Sequence, residues 1–445
     1  MKSRSYIIFF LILIILTGCK KDDDISLAVN VSTNLVKTLG GTKNDSGQSV
    51  VATSDGGYAI LGFTQSMDGD IVNKTNESFD YWVLKYNAEN ELQWQKTFGG
   101  SADERGSSMI QTQDGGYAIL GSSFSTDGDV TNNAGLQDYW LVKLDVSGNI
   151  SWQKSFGYQG ADNGISVIET NDQGYLITGT LDVTASGGEG NFSRSTNRHA
   201  GGDYWALKLD ATGTLQWSQY FGGNFTDAPT DVIQTEDNGF IIVGSSDSND
   251  TDISSNIGTY DFWILKISAA GDLVWEKSFG GDQIDEARSI VKSNDGNYII
   301  AGDTRSNDND ISNNKGAADL WLIKITPNGD LLWEKTIGGS NFDVARSIIK
   351  AETNGFILAG SSRSSDKDVS ANNGQNDAWI LKVDDNGNLL WETTVGGANI
   401  DFAYSVAQLN EGSIIGVGDS TSNDGDILEN KGFTDVLIIR IDETN

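Results

Sequence analysis

All twelve tryptophans fall into pairs spaced twelve residues apart: Trp82/Trp94, Trp140/Trp152, Trp205/Trp217, Trp263/Trp275, Trp321/Trp333 and Trp379/Trp391. Successive first members are 58, 65, 58, 58 and 58 residues apart, which is the period of a repeated supersecondary unit. A seventh copy follows 57 residues later, with Val436 in the first Trp position and nothing after it to supply the second half. The missing half stands at the other end of the chain, where Leu35-Val36-Lys37-Thr38-Leu39-Gly40-Gly41 matches the stretch from Leu92 to Gly100. A repeat completed by the opposite terminus predicts a closed ring rather than a linear solenoid.

Each unit holds four short β-rich runs separated by turn residues. In the fifth they are Arg288 to Lys292, Tyr298 to Gly302, Asp319 to Ile325 and Leu331 to Ile337. The first hairpin carries Asp-Gly, as at Asp114-Gly115 and Asp295-Gly296, and the last ends in Gly148, Gly213, Gly271, Gly329 or Gly387. Glycine supplies the positive φ that such tight turns need. The expectation is an all-β, seven-bladed β-propeller of four-stranded blades over residues 33–445, closed by the N-terminal strand, with the tryptophans packing blade on blade.

The stretch Lys324 to Gly339 resembles the repeats of pyrroloquinoline-quinone-type propellers, and Asp114 to Gly121 resembles the delta repeats of bacterial secreted and surface proteins. The resemblance implies the propeller fold. Quinone enzymes of this type usually have eight blades, and their cofactor and metal ligands find no counterparts here, so it implies no activity.

Residues 1–18 read as a signal peptide: Lys2 and Arg4 precede an apolar run from Tyr6 to Leu16 that is too short to span a bilayer. Leu16-Thr17-Gly18-Cys19 resembles the bacterial lipobox, which makes Cys19 the lipidated first residue of the mature protein. Lys20-Lys21-Asp22-Asp23-Asp24 resembles the export signal of Bacteroidetes surface lipoproteins; the other reading is a generic charged tether. Residues 19–32 are then a flexible acidic tether, and the protein is expected on the outer membrane, facing the exterior.

The formal charge of −32 excludes a nucleic-acid partner and any docking on acidic lipid, both of which need a basic face. One Cys excludes an internal disulfide and a Cys-based zinc site, and one His excludes multi-His metal centres. A closed ring has no free sheet edge to pair, so a monomer is expected.

Three repeated acid sets stand out. The first lies four residues past each Gly-Gly position, at Asp45, Glu104, Asp162, Asp227, Asp285, Asp343 and Asp401. It reads as a turn cap that also leaves a negative ring around the axial opening. The second, in the loop between second and third strands, is an Asp-x-Asp pair followed by Asn and Gly. Its members are Asp127/Asp129, Asp250/Asp252, Asp308/Asp310, Asp366/Asp368 and Asp424/Asp426. Alternating carboxylates are the hard oxygen ligands calcium takes, whereas the same residues also hold loops together by bonding their own backbone; both readings stand. The third is an Asp before each Trp strand, Asp80, Asp138, Asp203, Asp261, Asp319, Asp377 and Asp435. A base follows three residues after the Trp position, at Lys85, Lys143, Lys208, Lys266, Lys324, Lys382 and Arg440. Sevenfold recurrence assigns these charges to scaffold pairing.

Blade 3 breaks the symmetry. Its second loop is seven residues longer than its counterparts, lacks the paired Asp, and contains Asn191, Arg194, Arg198 and the only histidine, His199. It is either a binding site or a drifted insertion. Arg194 and Arg198 are suited to clamp a carboxylate or sulfate, with Asn191 beside them. His199 as base and Tyr204 as acid would give a lyase. Two functions follow: a non-catalytic surface binding or scaffold protein for a glycan or protein partner, or a polysaccharide-degrading enzyme centred on blade 3.

Overall fold

The computed structural model describes residues 30–191 and 200–444. Seven four-stranded antiparallel sheets follow one another around a ring. Blades 1 to 6 cover residues 45–98, 104–156, 163–221, 227–279, 285–337 and 343–395. In blade 5 the strands are Asp285–Lys292, Tyr298–Thr304, Asp319–Ile325 and Leu331–Ile337, so the last two match the expected runs and the first two are longer. Blade 7 takes its inner three strands, Asp401–Gln408, Ile414–Ser420 and Asp435–Thr444, from the C-terminal end and its outer strand, Asn30–Leu39, from the N-terminal end. The pairing runs from Leu39 opposite Val436 to Asn30 opposite Thr444. The closing strand therefore begins three residues before the expected boundary, because the ten-residue strand Asp435–Thr444 offers it a longer edge.

The first strand of each blade is innermost, and these seven strands are neighbours around the axis. Second and third strands lie between adjacent blades, and strands such as Asp319–Ile325 are buried on both faces. Outer strands are less buried, as in Leu331–Ile337, where Leu332 and Lys335 are exposed and Ile337 is buried. Third-strand Trp82, Trp140, Trp263, Trp321 and Trp379 are fully buried, each indole Nε1 donating to a Gln or Glu of its own outer strand at 3.0–3.1 Å. The outer-strand Trp275 packs on the following blade at Gly329, where φ is +82° and an added Cβ would sit 3.1 Å from the ring. Trp94, Trp152, Trp217 and Trp333 repeat the arrangement against Gly148, Gly213, Gly271 and Gly387.

The recurring base of the third strand is paired, but with the first hairpin. Lys85, Lys143, Lys208, Lys266 and Lys324 meet Asp55, Asp114, Asp172, Asp237 and Asp295 at 2.6–2.9 Å. The Asp before each Trp strand is out of reach, since five residues of extended chain span about 16 Å.

Candidate functional site

The loop leaving each outer strand and the loop before each third strand share one end of the ring, as strand alternation requires. Short parallel bridges join them from blade to blade, for example Gln137 with Ala161 and Ala318 with Phe342.

The first acid set caps turns. Asp45, Glu104, Asp227, Asp285, Asp343 and Asp401 are buried and accept the second Gly N–H of the preceding turn at 2.6–2.8 Å. Asp162 does the same for Tyr158 N at 2.8 Å. The expected negative ring at the opening is therefore absent: these carboxylates point into the loop junctions, where amide and hydroxyl donors compensate their burial.

The third set meets the first there. Asp261, Asp319, Asp377 and Asp435 each use one oxygen for a backbone N–H four residues earlier, while Oδ1 is buried without a hydrogen-bond partner. An added Cβ on Gly280 would lie 2.3 Å from Asp261 Oδ1 and 2.9 Å from Asp285 Oδ2, so only glycine fits between the two carboxylates. Burial, reinforced by the facing acid of the adjacent blade, raises Asp80, Asp162, Asp261, Asp319, Asp377 and Asp435 to about 6 and Asp227 to about 7.

The Asp-x-Asp loops bond backbone in the same way. Asp127, Asp250, Asp308, Asp366 and Asp424 accept N–H groups of Ser101, Asn224, Asp282, Ser340 and Ala398 at 2.7–3.0 Å. Asp129, Asp252, Asp310, Asp368 and Asp426 accept the first Gly N–H of the adjoining turn at 3.1–3.3 Å. The two carboxylates of a pair thus serve different amides, and among the described residues no three acidic, His or Cys side chains are grouped as a metal centre. Treatment with EDTA should accordingly leave the melting temperature within about 1 °C; a larger fall would restore calcium to these loops.

In blade 3, Asp182 caps the helical turn Val183–Ser186 through Ala185 N at 2.9 Å. Asn191 is half-buried beside Gly190, whose carbonyl accepts from Trp205 Nε1 at 3.2 Å. Arg194, Arg198 and His199 lie outside the described residues. Tyr204 is fully buried and donates to the Trp263 carbonyl at 3.1 Å, with burial raising its pKa well above the ordinary tyrosine value. It keeps the packing role of its strand and is not placed to act as an acid.

The axial wall carries the unrepeated chemistry. Each innermost strand slips register by one residue, which displaces Gln48, Ser107, Ile165, Thr230, Arg288, Arg346 and Tyr404 from the ladder. Ser107 and Thr230 reach the next blade, donating to the carbonyls of Gly164 at 2.6 Å and Ala287 at 3.0 Å. One residue further on, a nearly uniform serine position stitches neighbouring strands, as Ser49 does in accepting Met109 N at 3.2 Å. Blade 4 has Asp231 here, which accepts from Ser166 at 3.1 Å and Ser289 at 2.9 Å, one on each side.

Blades 1 to 3 leave a cavity of about 470 Å3 at this opening. Gln48, Gln137 and Asn163 supply amides, and Phe63 and Phe124 supply aromatic surface. Arg105 is held over the Phe79 ring at 4.3 Å and paired with Asp103 at 3.6 Å. Gln137 donates to Ser122 Oγ at 2.5 Å and to Asn163. Sequence reasoning missed these residues because they are single substitutions inside repeats of ordinary length; the available signal was that the seven copies differ one and three residues after the capping acid, as at Arg105, Asn163 and Gln48.

No family model matches the chain. It is similar to the regulatory protein FlaEY of Caulobacter vibrioides, 22% identical over 225 residues, which is 48% of this chain and 22% of that protein. The chain thus spans well under two thirds of that relative's length. Among solved structures it resembles the Neurospora crassa Pan2 WD40 domain (TM-score 0.48, 9% identity, 91% of this chain and 95% of that one). It also resembles a Bacteroides caccae protein of unknown function (TM-score 0.41, 9% identity, 70% and 89%) and a Xanthomonas campestris gluconolactonase (TM-score 0.35, 10% identity, 73% and 85%). These likenesses say nothing of chemistry, and the seven-bladed ring rests on its own strand pairing.

Proposed function

We propose that the protein is a lipid-anchored binding propeller of the outer membrane surface that holds a glycan in its axial opening without cleaving it. The cavity of blades 1 to 3 carries this reading: amides and an arginine beside exposed aromatic surface suit sugar hydroxyls and sugar ring faces. Cys19 and the segment behind it support the anchoring.

The test is affinity electrophoresis of the full chain in mild detergent against neutral, uronic and sulfated polysaccharides, with released sugar ends assayed in parallel. Retardation without cleavage is expected, weakened about tenfold by Gln137→Ala or Arg105→Ala, the effect of losing one polar contact to the ligand. Acyl labelling should disappear in Cys19→Ala. Cleavage that His199→Ala abolishes would make the protein a lyase, and absence of retardation on every polymer would point to a protein partner.

A further inference from the structure

Of the six described arginines, Arg105, Arg288 and Arg440 make ion pairs, while Arg305, Arg346 and Arg363 make none among the described residues. Those three all belong to blades 5 and 6, in a chain with 62 acidic residues. An arginine without a carboxylate is unusual in such an excess of acid, and three on two adjacent blades make a sector.

Arg346 occupies the displaced position of blade 6 on the axial wall. It makes no hydrogen bond among the described residues, and its Nε is buried without a partner. Burial and the neighbouring Arg288 guanidinium hold its pKa below the ordinary arginine value. The nearby acids are committed elsewhere. Asp303 accepts from Arg288 Nε at 3.2 Å, Glu286 from Arg288 Nη2 at 2.7 Å, and Asp419 from Ser46 at 2.9 Å. Arg305 stands two residues beyond Asp303 on the same side of blade 5, and its Nε is likewise buried without a partner. Arg305 and Arg363 flank the exposed ring of Phe342 at 5.8 and 5.7 Å, and Arg363 Nε donates to Asn376 at 2.6 Å, leaving its terminal nitrogens for a ligand.

A guanidinium offers five donors and no acceptor, and burying one unpaired is costly. Groups so arranged gain most from a planar anion that accepts two parallel N–H bonds. Phe342, partly exposed beside the two guanidiniums, adds apolar surface for a sugar to pack against. We propose that blades 5 and 6 bind the carboxylate of an acidic sugar, with Arg346 and Arg305 on the carboxylate and Phe342 against the ring. This rests on the glycan reading above and assigns it a charged subsite separate from the amide-lined cavity of blades 1 to 3.

The test compares oligogalacturonate with its methyl ester, which keeps the sugar and removes the charge, by titration calorimetry on the full chain in non-ionic detergent. The acid should bind at least tenfold more tightly than the ester, and Arg346→Met and Arg305→Met should each weaken it at least fivefold. Arg346 also lies near the buried carboxylates of Asp303 and Asp419, which its charge helps to keep ionised, so Arg346→Met is expected to melt lower than the parent and its binding is read well below its melting temperature. Equal binding of acid and ester would overturn the proposal, as would unchanged acid binding in folded Arg346→Met. If neutral glycans still bind in a manner sensitive to Gln137→Ala while the acid shows no preference, this subsite alone is refuted. Loss of both kinds of binding refutes the glycan reading itself.

Discussion

Deletion of residues 30–39 is expected to leave the chain without a stable monomeric fold. Among the described residues the strand Asn30–Leu39 is the only one that a blade takes from the other end of the chain, and it pairs with Asp435–Thr444 from Val436 to Thr444. Without it that ladder is lost and the edge from Val436 to Thr444 is exposed, the geometry that invites pairing with a second molecule. Leu39 is buried, Val31 and Val36 pack against the cluster holding Trp391, Ile439 and Ile441, and this contact ties blade 6 to blade 7. The expected loss is about 5 kcal/mol or more, comparable with the whole stability of many domains. Light scattering should find oligomers or aggregate, and a peptide spanning residues 30–41 added in trans should restore the monomer. A monomeric deletion variant melting within a few degrees of the parent would contradict ring closure by this strand.

Stability is also expected to rise as the pH falls from about 8 to about 5, the reverse of the usual behaviour of carboxylate-rich proteins. Asp80, Asp162, Asp261, Asp319, Asp377 and Asp435 titrate near 6, and Asp227 near 7, because burial and a facing carboxylate disfavour the charged form. Raised above the unfolded value, these groups bind protons more tightly in the folded protein. Their contribution is complete below the unfolded pKa and is lost as the pH rises through 6 to 7. Each tenfold gain in proton affinity is worth about 1.4 kcal/mol, so even partial expression across seven sites should move the melting temperature by about 5 °C or more. The hairpin aspartates set the opposite limit. The hydrogen bond from Lys266 lowers Asp237 to about 2, and at Asp114 bonds from Thr112 and Lys143 outweigh its burial to reach the same value. Their stabilisation is lost as the pH falls from about 4 toward 2. Melting curves across this range should peak near pH 4 to 5; a steady decline from pH 8 to 5 would show that the facing acids do not share the loop junctions as described.

Much of the architecture was legible because it repeats. The Trp spacing, the Asp-Gly and Gly turns and the split last unit each report a local geometry that must recur in every blade, and they locate the closing strand to within three residues. What recurs, however, is scaffold. Asp45 and its counterparts read as turn caps, yet hydropathy could not show that the neighbouring Gly-Gly turn folds over them and removes them from the opening. Lys324 finds Asp295 rather than Asp319 because strand length, not charge order, decides which end of the blade a side chain reaches. The displaced residues Gln48, Arg288 and Arg346 were hidden for a related reason: their departure from the strand ladder comes from a register slip, which leaves no periodic trace. Blade 3 drew attention by its length, whereas the differences that line the opening are single substitutions scattered over several columns of the repeat.

If ligand binding resides in the unrepeated residues of the axial opening, hydrogen exchange of the full chain, with and without a polysaccharide that retards it, shows it most directly. Added protection is expected in the displaced segments of the innermost strands, around residues 46–49, 105–108 and 163–166 for neutral polymers, extending to 286–289 and 344–347 for acidic ones. Protection confined to the repeated Asp-x-Asp loops or to residues 183–201, with the innermost strands unchanged, would contradict binding at the axis.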